Sequence, residues 1–240
     1  MAAFQNMTEP KYKRVLLKLS GEALSSEKGI IDQDFLAKIS KVLKKCVDAG
    51  VQIGIIVGAG NIWRGRQGAD MDSAKADHMG MLATTINAIA LQDSFTRNGL
   101  DARVLTAVPM LAFAEPYSRN TALEHLEAGR IVIFGTGLGV PFLSTDTAGA
   151  IRAAEIGADT ILMAKNIDAI YTADPAKDKS ATPIESISYQ EILSRGRAAM
   201  DATATSFCMD KHIPLHVFGL ADPENIYRAV MGEKLGTLVY

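Results

Sequence analysis

Cysteine is scarce in this sequence of 240 residues: Cys46 and Cys208 stand far apart. That excludes a disulfide framework, and two lone thiols fit a reducing compartment. A surplus of either charge is missing as well, since 25 Lys and Arg face 27 Asp and Glu for a net charge of −2. Proteins that grip duplexes usually carry a basic surplus, so nucleic acid is not an expected partner. No apolar run approaches the ~20 residues that span a bilayer, and no membrane association is expected. The opening MAAFQNMTEPKYKR lacks the apolar stretch of a secretory signal, and residues 1–10 read as a flexible tail. A cytoplasmic location follows as the expectation. Low-complexity tracts and fixed-period repeats are lacking too, which removes disordered and solenoid architectures. What remains is ordinary globular material, 48% hydrophobic and 22% charged. Its length suffices for one large α/β domain with ample core.

Short apolar runs rich in strand formers lie at 15–19, 51–57, 102–108, 131–134, 160–164, 215–218 and 236–240. Helical spacing fills the intervals. In 32–49, Phe35, Leu36, Ile39, Val42, Leu43 and Val47 recur three or four residues apart, with Asp32 placed to cap and Gly50 to stop. Further helices are expected at 77–98, 119–128, 146–156, 189–195, 201–210 and 223–231. Alternation of this kind predicts parallel strands joined by helical crossovers, in one domain spanning 1–240. The polar stretch 168–182 is the least core-like segment and is expected to cover a surface site.

Ligands of open parallel sheets collect at the carboxyl ends of strands. Three such ends here are glycine-rich: Lys18-Leu19-Ser20-Gly21, Gly58-Ala59-Gly60-Asn61, and residues 135–146. Glycine lets backbone N–H groups approach phosphate oxygens, and helix N-termini add partial positive charge. A Walker loop is excluded, because Gly60 to Gly65 continues Arg66-Gln67 without the lysine and hydroxyl. A dinucleotide fingerprint is excluded too, since Gly58-Ala59-Gly60 has no third glycine.

Lys18 interrupts an apolar strand near its carboxyl end, either snorkelling to solvent or aimed at phosphates. Arg64 and Arg66 follow the second glycine turn, as solvated charges or as phosphate forks. Asp77, Thr145 and Asp146 each read as a helix cap or as a ligand group, and Asp174 before Pro175 as a turn former or a ligand group. His212 and His216 have metal-like spacing, but Pro214 between them breaks helical geometry, so no metal site is expected there.

Five motifs carry a resemblance: KLSGEAL (18–24), VGAGNIWRG (57–65), DHMGMLAT (77–84), GVPFLSTDTAG (139–149) and YTADPAKD (171–178). In order and spacing they are similar to the bacterial uridylate kinases of the amino acid kinase family, from Lys11 to the closing GEKLGTLV. The resemblance implies a three-layer αβα sandwich on a mainly parallel sheet. It implies transfer of the γ-phosphate of ATP to UMP, with Mg²⁺ carried on the ATP phosphates, in a cytoplasmic homohexamer serving pyrimidine nucleotide synthesis. By the same resemblance Lys18, Ser20 and Gly21 would contact ATP phosphates, Leu19, Gly60 and Arg64 would lie on the ATP side, with Arg64 catalytic beside Lys18, and Asn166, Tyr171 and Asp174 would hold its nucleoside. Ala59, Asp77, Leu138, Gly139, Val140, Pro141, Phe142, Leu143, Ser144 and Thr145 would hold UMP, Asp77 through the ribose. Asp146 would orient Lys18 or the metal's waters, and Asp201 matches an acidic position near that lysine.

Some positions depart from the family pattern. Ala59 stands where glycine is usual, Val140 where asparagine is common, and Ala169 where glycine is common. A shortened loop leaves open whether Lys165 or Asn166 faces the donor base. Arg103, Arg119 and Arg130 match cations that face an activating GTP in some relatives, whereas Gln92 and Thr96 replace residues often basic there. The competing readings are a relative that phosphorylates a carboxylate or carbamate, and a non-catalytic nucleotide-binding relative.

Overall fold

The computed structural model describes residues 9–64, 70–195 and 199–240. Its frame is a nine-stranded sheet. In chain order the strands are β1 (Arg14–Leu19), β2 (Gln52–Val57), β3 (Ala102–Thr106), β4 (Glu115–Pro116), β5 (Ile131–Gly135) and β6 (Thr160–Lys165). Next come β7 (Ile170–Tyr171), β8 (Pro183–Ile184), β9 (Ser186–Ile187), β10 (Leu215–Gly219) and β11 (Thr237–Val239). Spatial order is β4-β3-β5-β2-β1-β6-β10-β11-β9, with β7 and β8 paired apart. Within the large sheet β10–β11 is the antiparallel pair, and the other pairings are parallel.

The helices are α1 (Gln33–Asp48), α2 (Ser73–Arg97), α3 (Arg119–Glu127), α4 (Thr145–Ile156), α5 (Tyr189–Arg195), α6 (Ala202–Lys211) and α7 (Asn225–Val230). They form two layers because the strands are apolar on both faces, as parallel strands sealed by helices must be. One core joins Leu17, Leu19, Ile53, Ile55 and Phe218 to α1, α2 and α7. The other joins Leu16, Ile56, Phe134, Met163 and Val217 to α3, α4, α5 and α6. The expected αβα sandwich is the observed one.

Strand parity now places Lys18. Side chains alternate across a sheet, so Lys18 shares the α4 face with Leu16. Chain order places the site as well. β1 is flanked by β2 and β6, and α4 carries the chain from β5 back across β1 to β6. The carboxyl end of β1 is therefore a topological switch point, where open α/β sheets hold ligands.

Several boundaries differ from expectation for local reasons. α2 starts at Ser73 with Asp72 as its cap, accepting from Lys75 N, so Asp77 lies inside the helix. α4 is capped by Ser144, which leaves Asp146 in the first turn without a capping role. Strands β4, β7, β8 and β9 have two residues each, too short for alternation to register. Among the described residues no helix is long and apolar enough to cross a membrane. α2 does present an outward apolar stripe of Met79, Leu82, Ile86 and Ile89, with Leu82 54% and Ile86 50% exposed.

Candidate functional site

The first two glycine turns nest against each other. Gly58 N donates to Leu19 O at 3.0 Å, carrying the β1–β2 pairing into the loops. A methyl group on Gly21 would stand 2.5 Å from Gly58 O, 2.6 Å from Gly60 N and 2.7 Å from Asn61 Oδ1. No side chain fits there. The third turn adjoins them, since a Cβ on Gly58 would meet Thr145 Oγ1 at 3.8 Å. The second turn is also tethered from outside. Asn61 and Asn87 exchange amide hydrogen bonds of 2.9 and 2.8 Å, and Asn87 Nδ2 donates to Gly58 O at 2.8 Å. Asn87 was not legible as a functional residue; a fully buried asparagine on the core face of α2 was its one signal. Ala59 has ordinary backbone angles, because among the described non-glycine residues positive φ occurs at Thr136, Phe142 and His212.

Lys18 Nζ lies 2.9 Å from Asp146 Oδ1, and their side chains are 13% and 20% exposed. The snorkelling alternative is thereby set aside. Ser144 Oγ accepts from Asp146 N and Thr147 N, and donates to Asp201 Oδ2. Asp201 also accepts from Thr147 Oγ1 at 3.2 Å and caps α6 by accepting from Ala204 N at 2.9 Å. It thus ties the starts of α4 and α6 together, its partners Ser144 and Thr147 lying on either side in sequence of Asp146, the carboxylate that pairs with Lys18. Lys165, at the end of β6, donates to Ala199 O. Burial lowers its pKa, and Lys18 adds to that while Asp146 opposes it. By strand alternation Lys165 shares the α4 face with Met163 and Lys18, whereas Asn166 is exposed.

Beside this charge group lies a cavity of about 190 Å³. Ala59, Asp77, Leu138, Val140, Leu143, Ser144 and Thr145 line it, as the motif reading expected. Gly80, Met81, Thr84, Thr136 and Gly137 line it as well; they belong to the 77–84 motif and the third glycine-rich turn, but the sequence reading gave them no individual role. Gly139, Pro141 and Phe142 belong to the same loop without lining the cavity, and the Phe142 ring is exposed. Asp77 Oδ2 accepts from Phe142 N at 2.7 Å, so this carboxylate holds the loop across the mouth of the cavity. Thr84 Oγ1 accepts from Thr136 N at 3.1 Å, anchoring the loop's other end to α2.

The remaining expected residues surround the nested turns. Leu19 is fully buried, so its backbone is what reaches the turn. Arg64 pairs with Glu22 Oε1, and its Nε donates to Gly60 O at 3.4 Å. Tyr171 donates to Asp168 at 2.8 Å, and Asp174 Oδ1 accepts from Ala176 N at 3.0 Å. Gly65 and Arg66 lie outside the described residues. His212 ends α6 and His216 sits in β10, its Nε2 donating to Leu235 O. Larger cavities of about 220, 590 and 610 Å³ contain neither Lys18, Asp146 nor any of the three glycine-rich turns described above. Size alone does not locate the chemistry.

Nested glycine turns, a fixed lysine at a strand's carboxyl end and a helix start beside it define a phosphate-handling α/β protein. Residues 13–219 match the model of the amino acid kinase family, and the chain belongs to that family. Its structure is similar to UMP kinase from Bacillus anthracis, with 38% identity and a TM-score of 0.91, covering 95% of this chain and 96% of that one. UMP kinase from Ureaplasma parvum gives 33% identity and 0.90, with 95% and 99% covered. Uridylate kinase from Archaeoglobus fulgidus gives 28% and 0.73, with 94% and 99% covered.

The close approach at Gly21 generates a prediction. Gly21→Ala must separate two backbones, and overpacking of that kind costs roughly 1–3 kcal/mol. Urea denaturation should show a lowered midpoint, with nucleotide turnover reduced further than stability alone explains. A variant matching wild type in both would show that the turns do not nest as described.

Proposed function

We propose that this chain is a UMP kinase that moves the γ-phosphate of ATP to UMP, releasing UDP and ADP, within pyrimidine nucleotide synthesis in the cytoplasm. The observation that carries the reading is the Lys18–Asp146 pair, set where three glycine-rich turns meet beside the cavity closed by Asp77. Lys18, Leu19, Ser20, Gly21, Gly60 and Arg64 hold the ATP phosphates, Arg64 exchanging Glu22 for them. Asn166, Tyr171 and Asp174 flank the donor nucleoside. Ala59, Asp77 and residues 138–145 hold UMP. The whole chain acts as one domain.

The chemistry needs positioning and charge more than proton transfer. Phosphoryl transfer passes through a loose transition state in most analyses, and a phosphate acceptor with second pKa ~6 is already largely dianionic at pH 7. No general base is required. The obstacle is repulsion between two polyanions, about 4 kcal/mol for each pair of unit charges 4 Å apart at an effective dielectric near 20. Lys18, Lys165 and the N-terminus of α4 are the fixed positive groups that offset it. Asp146 keeps the Lys18 ammonium pointed at the transferring group, and Asp201 holds the start of α4 in place.

Mg²⁺ bound to ATP would supply further neutralisation. The residues present fit such an ion, since Asp146 would offer one carboxylate beside Lys18 and the ATP phosphates would offer the other oxygens. Self-association as a homohexamer belongs to the same proposal. The outward stripe of Met79, Leu82, Ile86 and Ile89 is a contiguous apolar face on a 25-residue helix, which favours burial against another copy.

A coupled assay with ATP, Mg²⁺ and each nucleoside monophosphate, with glutamate as a carboxylate control, tests the activity. UMP-dependent ADP release is expected, and release driven by glutamate instead would overturn the assignment. Lys18→Ala should lower turnover by about 10²-fold or more, the scale of losing one preorganised electrostatic group. Near-normal turnover would remove Lys18 from the mechanism. Asp77→Asn should weaken UMP far more than ATP in titration calorimetry; equal losses would contradict its acceptor role. Leu82→Glu combined with Ile86→Glu should reduce the particle mass seen by light scattering. A wild-type protein that is already monomeric would end the hexamer proposal.

A further inference from the structure

One buried cation has no part in the chemistry described so far. Arg152 lies in α4 beyond Asp146, with its side chain 5% exposed. Its Nη1 meets Glu155 Oε2 at 2.6 Å, and its Nη2 donates to Gly137 O at 3.3 Å. The guanidinium stacks 3.5 Å from the centroid of the Tyr117 ring and 5.9 Å from that of Phe134. Tyr117 donates its hydroxyl to the same Glu155 oxygen at 2.5 Å. Burial, followed by the hydrogen bond to Glu155, pushes that hydroxyl up to about 12, so it stays protonated and donating.

Burying an arginine is costly, and an apolar side chain would fill this space more cheaply. What an apolar side chain lacks is a reach to Gly137. That carbonyl sits in the turn lining the acceptor cavity, where Thr136 and Gly137 both adopt left-handed angles, φ 59° and 56°. Consecutive left-handed residues persist when their surroundings hold them. Thr84 of α2 holds the turn at Thr136 N, and Arg152 of α4 holds it at the next residue's carbonyl. A lysine cannot replace the fork, because spanning Glu155 and Gly137 while stacking on Tyr117 takes a planar guanidinium.

We propose that Arg152 is a positioning residue for the acceptor, fixing the turn at 136–139 through the Gly137 carbonyl without touching UMP. The proposal rests on the UMP kinase reading above. A residue that merely packed α3 against α4 would affect both substrates alike. One that shapes the acceptor turn affects UMP.

Arg152→Lys and Arg152→Met are to be compared with wild type by calorimetry, steady-state kinetics and amide hydrogen exchange. Arg152→Lys should raise the Kd and KM for UMP by tenfold or more while those for ATP stay within twofold. The Thr136 and Gly139 amides should exchange faster, with exchange in β6 unaltered. Unchanged UMP affinity, or equal losses for both nucleotides, overturns the proposal. If Arg152→Met fails to fold, Arg152→Lys decides. If wild type neither binds UMP nor turns it over, the functional reading fails. The clamp then stands or falls on exchange at 136–139 in Arg152→Lys.

Discussion

Two stretches of backbone meet at Gly21 with no room for a β-carbon, and the arrangement of the site follows from that contact. Because Gly21 nests against Gly58 and Gly60, the loops after β1 and β2 occupy a single small volume instead of splaying apart. Their peptide groups are thereby brought to the point where α4 begins. Apolar packing on both faces of β1 fixes the strand, and strand alternation then leaves Lys18 on the α4 side. The cation's position is a consequence of steric fit at a glycine and parity along a strand. Neither needs a bound ligand to hold.

The ion pair that results is a poor stabilising device and a good positioning one. Partly burying two charges costs desolvation that their attraction only partly repays. Lys165 brings a second ammonium toward the same pair, where Lys18 opposes its charge and Asp146 supports it. Two neighbouring ammonium groups are stabilised by a polyanion that enters beside them. Asp146 fixes the direction of Lys18 while leaving the ammonium further N–H donors to offer.

Much of this was legible in the chain, and the unread part has physical causes. The run 15–19 announced a strand with a lysine of one parity, and three glycine-rich strand ends announced a common rim. Helix starts were harder, because Asp72 and Asp77, or Ser144 and Asp146, are equally good caps by composition. Only packing decides which one caps and which is released for the site. The individual roles of Thr84, Thr136 and Asn87 could not be assigned, although the first two lie in the 77–84 motif and the 135–146 turn, since each acts through a hydrogen bond to a residue more than twenty positions away. Arg152 could not be read at all. An arginine in a helix is ordinarily a solvated residue, and its burial depends on Tyr117 and Phe134 arriving from other elements.

The two halves of the site are consequently built by different means. The side formed by the nested turns is held backbone to backbone, at Leu19–Gly58 and at the Gly21 contact, where steric fit leaves little freedom. The cavity side is a loop with left-handed residues at Thr136, Gly137, Gly139 and Phe142, held by side chains reaching in from two helices. Asp77 and Thr84 come from α2, and Arg152 from α4. Side-chain tethers can be exchanged or released, whereas a backbone contact cannot yield without separating the strands that carry it. The nested turns are thus the rigid partner, and the 136–142 loop is the element whose conformation α2 and α4 jointly set.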